Sequence, residues 1–182
     1  MTSTKKPTRA SGAKRFAQVE RISISGITER MAPLALHMYA DAYLNAARSL
    51  PPPDAPLAAP SRVPFEQVRP FLVCHSIELG LKAFLSLQGF EMLELAGGPY
   101  GHNLEAILKK ADEKRLGASV GLTEVQRAAV RHASDYYAGK AFEYPAVGEA
   151  VCGYPGMPVI ETLLEVAALL VDSLRQPCTE AK

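Results

Sequence analysis

Phe71-Leu-Val-Cys-His75-Ser-Ile-Glu78-Leu-Gly-Leu-Lys82-Ala-Phe-Leu-Ser-Leu87 decides the fold. At about 100° per residue, its apolar side chains fall nearly all the way round a helix. A surface helix needs one apolar stripe, so a helix apolar on every side belongs in the middle of a bundle. His75, Glu78 and Lys82 interrupt the run, which is too charged to be read as a bilayer span. The three stand at i, i+3 and i+7 and share a stripe roughly 60° wide. Glu78 and Lys82 are at i, i+4 with Glu first, the better orientation for a pair. Unpaired buried charge is costly, so this stripe is expected to be buried, paired and joined by His75 or His102.

The rest of the chain supplies neighbours for that helix. Glu29 to Leu50 predicts a first helix, with Thr28 as a cap and Leu34, Met38, Ala42 and Ala46 at helical period. Pro51-Pro52-Pro53 stops it. The central helix starts at Pro64 or Pro70 and ends at Gly89, a C′ glycine. Glu91 to Gly98 reads as a short helix or turn. Asn103 is the N-cap of a helix ended by Gly117, with Leu104, Ile107, Leu108 and Ala111 facing inward. Thr123 and Gln126 form a capping box for a helix to about Ala138, whose apolar face is read as Val125, Ala129, His132, Ala133 and Tyr136. Lys140 to Pro158, rich in Gly, Pro and Tyr, is a long loop of unassigned role. Pro158 opens a last helix to about Arg175, with Val159, Leu163, Val166, Leu170 and Leu174 inward. The expected fold is therefore all-α, an up-and-down bundle of about five main helices.

Charge and cysteine usage narrow the function classes. The net charge is +1 over 182 residues. Residues 1–21 hold six basic residues (Lys5, Lys6, Arg9, Lys14, Arg15, Arg21) against Glu20, so the remainder carries −4. The body is not a basic nucleic-acid platform. Residues 1–21 are expected to be a disordered basic tail, 22–176 the bundle and 177–182 a second disordered tail. Cys74, Cys152 and Cys178 are odd in number and widely spaced, which reads as free thiols in a reducing, cytoplasmic setting. The first residues hold no apolar h-region, so no secretory signal is expected. His37, His75, His102 and His132 have no metal-ligand spacing with each other or with cysteine, so the sequence assigns no metal and no cofactor.

Several segments together resemble the HEPN domain family. They are Asp41-Ala-Tyr-Leu-Asn-Ala-Ala-Arg-Ser-Leu50, His75-Ser-Ile-Glu78-Leu-Gly-Leu-Lys82-Ala-Phe-Leu85, Gly101-His102-Asn103-Leu104 and Phe142-Glu143-Tyr144-Pro145. The likeness spans roughly residues 30 to 175. It implies a helical bundle that often dimerises, in bacterial toxin–antitoxin, phage-defence or stress systems. It also implies RNA or nucleotide as ligand, and an antitoxin or a nucleotidyltransferase-like protein as possible partner. Many members are metal-independent ribonucleases with an Arg-x(4–6)-His motif, and others serve as binding modules. Here the motif matches Arg127-Ala-Ala-Val-Arg-His132, with Ala128 in place of the polar residue that often follows the Arg. On a regular helix these two side chains diverge by about 140°. The expectation is a HEPN-like binding or regulatory module, a homodimer without membrane attachment. In that reading His132 is a core histidine and His75, Glu78, Lys82, His102 and Asn103 form a structural polar set. The alternatives are an endoribonuclease using Arg127 and His132 as catalytic residues, and a structural subunit of a larger complex.

Overall fold

The computed structural model describes residues 33–50, 68–144, 146, 154 and 156–181. The basic tail, the expected helix start at Glu29 with its Thr28 cap, the Pro/Ala segment and Cys152 lie outside these residues. Among the described residues the structure is all-helical, with no strand. The helices are α1 Pro33–Ser49, α2 Val68–Leu87, α3 Met92–Ala96, α4 Leu104–Glu113, α5 Glu124–Ala138 and α6 Ile160–Glu180. Two 3₁₀ turns, Gly98–Tyr100 and Leu116–Ala118, lie in the connections.

Helix α2 is the axis of the bundle. From Val73 to Leu85 all residues but His75 are buried. It packs on α1, α4, α5 and α6. The three ionisable residues do not by themselves exclude a membrane span, since Val68–Leu87 is long and apolar enough to cross by length and composition, but 67% of the qualifying window is buried inside the protein. Its apolar surface is thus spent on neighbouring helices, the arrangement that favours burial by roughly 25 cal/mol per Å². Gly80 sits where α2 meets α6, and a Cβ there would stand 3.1 Å from the Leu170 Cβ. After Leu87 the chain turns at Gly89, whose φ of 87° a residue with a side chain rarely adopts.

Two polar ties fix α1. The Ser76 hydroxyl donates to the Ala40 carbonyl at 2.7 Å. His37 is buried and donates from Nε2 to the Val171 carbonyl of α6 at 2.6 Å. The buried stripe of α1 is Leu36, His37, Ala40, Leu44 and Ala47. The periodic set Leu34, Met38, Ala42 and Ala46 instead faces outward, with Met38 62% and Tyr39 57% exposed. Both stripes have helical spacing, so periodicity alone does not choose between them.

The caps form as their chemistry requires. The Asn103 side chain accepts from the Ala106 N–H at 2.9 Å. At the start of α5 both bonds of the Thr123–Gln126 capping box are made. Helix α4 stops at Glu113, before Gly117, because Arg115 takes the left-handed conformation and starts the 3₁₀ turn. The expected disordered tail at 177–182 is corrected. Helix α6 continues to Glu180 through Pro177, and Cys178 is fully buried. Cys178 extends the stripe Leu163, Val166, Leu170, Leu174 by one more i+4 step, and that burial offsets the single hydrogen bond a proline loses near a helix end.

Candidate functional site

Glu78 is the centre of a closed polar cluster built from α2, α5 and the turn before α4. Glu78 is 2% exposed and Lys82 5%. The Lys82 ammonium donates to Glu78 Oε1 at 2.5 Å and to the Gly101 carbonyl at 2.8 Å. The Tyr137 hydroxyl donates to Oε2 at 2.5 Å. His102 Nδ1 lies 3.1 Å from Oε2. His75 Nδ1 lies 2.6 Å from the Tyr137 oxygen and 3.5 Å from Oε2. Because the single phenol proton goes to Glu78, His75 donates to the phenol oxygen. Among the described residues no buried side-chain polar atom lacks a partner.

The order of the cluster comes from packing. Phe71 stacks on His75 at 5.7 Å between ring centres, and Tyr43 of α1 meets the same ring edge-on at 4.4 Å. His102 meets Tyr137 edge-on at 5.6 Å. His75 and His102 are the two members that reach solvent, with side chains 21% and 49% exposed. Burial by itself would push the Glu78 carboxyl up. The His75 imidazole 3.5 Å away, the charge and hydrogen bond of Lys82 and the Tyr137 hydroxyl outweigh it and hold the carboxyl at about 2. The same arrangement, burial first and the Glu78 charge second, pushes the Tyr137 phenol far up, so it stays a donor. Burial also pushes the Cys74 thiol well up and Cys178 up to about 11, which disfavours the thiolate of each at neutral pH.

The expected polar set is therefore brought together, with one difference. Asn103 does not touch Glu78. It caps α4 and accepts from the Ser134 hydroxyl at 3.3 Å, and Ser134 in turn accepts from the Glu105 N–H at 3.1 Å. Tyr137 is the member that the sequence reading missed. The buried face of α5 is Val130, Ala133, Ser134 and Tyr137. It is turned by about one residue, roughly 100°, from the face expected on Val125, His132 and Tyr136. The signal for it was the i, i+3, i+4, i+7 spacing of 130, 133, 134 and 137.

Arg127 and His132 do not form a pair within one chain. Arg127 is held by ion pairs to Asp112 and, at 3.7 Å, to Glu124. His132 is exposed, which corrects the core-histidine reading. Its ring lies 3.8 Å from where a Cβ on Gly156 would stand, and 6.5 Å from the Tyr136 ring. A groove of about 360 Å³ between α4 and α5 is lined by Glu105, Leu108, Lys109, Asp112, Glu113 and Arg131. Its mixed charges give no single-sign surface for a phosphate backbone.

Compared with known proteins, the chain matches no family model, no curated protein and no solved structure.

Proposed function

We propose that this chain is a HEPN-like helical module that binds and regulates, working as a homodimer in a cytoplasmic bacterial defence, toxin–antitoxin or stress system. The family assignment rests on the resemblance of the central helix, the Gly101-His102-Asn103-Leu104 turn and the first helix. The observation that favours binding over catalysis is the state of the Arg127–His132 pair. Arg127 is spent on two carboxylates, and His132 points elsewhere on the same helix. RNA or a nucleotide is the ligand class the resemblance suggests, and an antitoxin or nucleotidyltransferase-like protein the partner class.

The homodimer is supported by the outward stripe of α1, where Leu34 and Met38 are exposed one turn apart, with Tyr39 exposed beside Met38. Large exposed apolar side chains on one helix face usually mark an interface. Light scattering is expected to give twice the chain mass at micromolar concentration, and Met38→Asp to give the monomer. A wild-type monomer under those conditions would remove the dimer from the proposal.

A ribonuclease is the second reading, and one observation favours it. His132 is exposed, so a second chain could bring its own Arg127 to it. The chemistry would need a base for the RNA 2′-hydroxyl and a cation for the phosphate charge in the transition state. The expected result is no RNA cleavage in EDTA. His132→Ala should change stability by less than about 0.5 kcal/mol, because the side chain is on the surface. Robust EDTA-resistant cleavage, lost in both Arg127→Ala and His132→Ala, would establish the enzyme reading instead.

A further inference from the structure

We propose that His75, Glu78 and His102 form a binding site for a divalent first-row transition ion of the zinc type. This rests on the geometry of the three side chains and stands apart from the functional reading above.

Each residue offers one ligand atom, and the three atoms lie within 4.8 Å of one another. The Nδ1 atoms of His102 and His75 are 3.1 and 3.5 Å from the same carboxylate oxygen, Oε2. For metal–ligand bonds of about 2.1 Å, neighbouring ligands stand about 3.0 Å apart in an octahedron and 3.4 Å in a tetrahedron. The two histidines thus already stand at ligand-to-ligand spacing from Glu78. Two imidazoles and one carboxylate suit zinc, iron(II), cobalt(II) or nickel(II) better than calcium or magnesium. His102 is half-exposed and gives the ion a route from solvent and open positions for water.

The neighbours of Glu78 fix how the ion would be held. Lys82 occupies Oε1, so Glu78 ligates through Oε2 alone and the ammonium anchors the other oxygen. Tyr137 keeps its bond to Oε2 as a second anchor. Coordination through Nδ1 requires each imidazole to carry its proton on Nε2, so the Nδ1–H bonds to Tyr137 and Glu78 are given up. The nearby ammonium repels the ion and lowers its affinity below that of a site without it. The site is therefore a reversible one.

Metal-stripped full-length protein titrated with Co(II), and then with Zn(II), tests this. One equivalent of Co(II) per chain is expected to give saturable visible absorption bands, and excess Zn(II) to abolish them. His102→Ala is expected to weaken Co(II) binding at least tenfold, with an unchanged helical circular dichroism spectrum, and His132→Ala to leave it unchanged. Imidazole NMR of the wild-type protein gives a readout that needs no variant to fold. Zn(II) should shift the His75 and His102 signals and leave those of His37 and His132 in place. No saturable binding, binding that His102→Ala leaves intact, or Zn(II) shifts confined to His132 would each overturn the proposal.

Discussion

Glu78→Ala is expected to lower the stability of the fold by about 3 kcal/mol, because it leaves a buried charge without its partner. The ammonium of Lys82 would keep only the Gly101 carbonyl, and Tyr137 and His102 would each lose the acceptor they share. In a chain of this size that loss corresponds to a fall of about 10 °C in melting temperature. Removing both charges tests the cause. Glu78→Leu combined with Lys82→Met should recover much of the loss, since apolar side chains can replace a buried ion pair at little cost. A melt unchanged by Glu78→Ala would show that the cluster contributes nothing to the fold.

Acid titration reads the same interaction. The Glu78 carboxyl is at about 2 in the folded protein against an ordinary 4.5. A depressed carboxylate contributes stability that is fully present above the unfolded value and is lost as pH falls through the folded one. The contribution, about 3 kcal/mol from the size of the shift, should therefore disappear between about pH 4.5 and pH 2. Glu78→Gln should flatten the pH dependence of the melting temperature across that window. A slope equal to that of the wild type would assign the acid sensitivity to other groups.

Gly80→Val is expected to cost about 2–3 kcal/mol, the upper part of the range for overpacking a close-packed core. Even the first added carbon would stand 3.1 Å from the Leu170 Cβ, and valine adds two methyl groups beyond it. Helix α6 would have to move off α2, and the stripe of Leu163, Val166, Leu170 and Leu174 would move with it. Gly80→Ala is the informative contrast. Alanine gains up to about 1 kcal/mol in helix propensity over glycine, which offsets a contact that needs only a few tenths of an ångström of adjustment. Chemical denaturation should therefore separate the two, with alanine near wild type and valine well below it. Equal midpoints for valine and wild type would mean that α2 and α6 are not in contact at this point.

The places where local chemistry is sufficient were legible in the residues. The all-round apolar run of α2 required a central helix, and the three-residue polar stripe required partners inside it. The Asn103 cap, the Thr123–Gln126 box and the turn at Gly89 each involve atoms within a few residues, so the sequence contains the whole interaction. Spacing along one helix also placed His75, Glu78 and Lys82 on one stripe, because about 100° per residue is a property of the backbone alone.

Tertiary packing decided the rest. Helices α1 and α5 each carry two stripes at helical spacing, and only the position of the neighbouring helices chose Leu36, Ala40 and Leu44 over Leu34 and Met38, and Tyr137 over His132 and Tyr136. That choice moved His132 from the expected core to the surface and put a phenol on Glu78. His102 and Tyr137 reach Glu78 from 24 and 59 residues away. A search for ligand spacing along the chain finds no metal-binding pattern in His75 and His102, yet folding sets both against one carboxylate oxygen. Sequence spacing fixes which side chains share a face of one helix. Which faces meet depends on how all the helices together bury their apolar surface, a condition that no single segment contains.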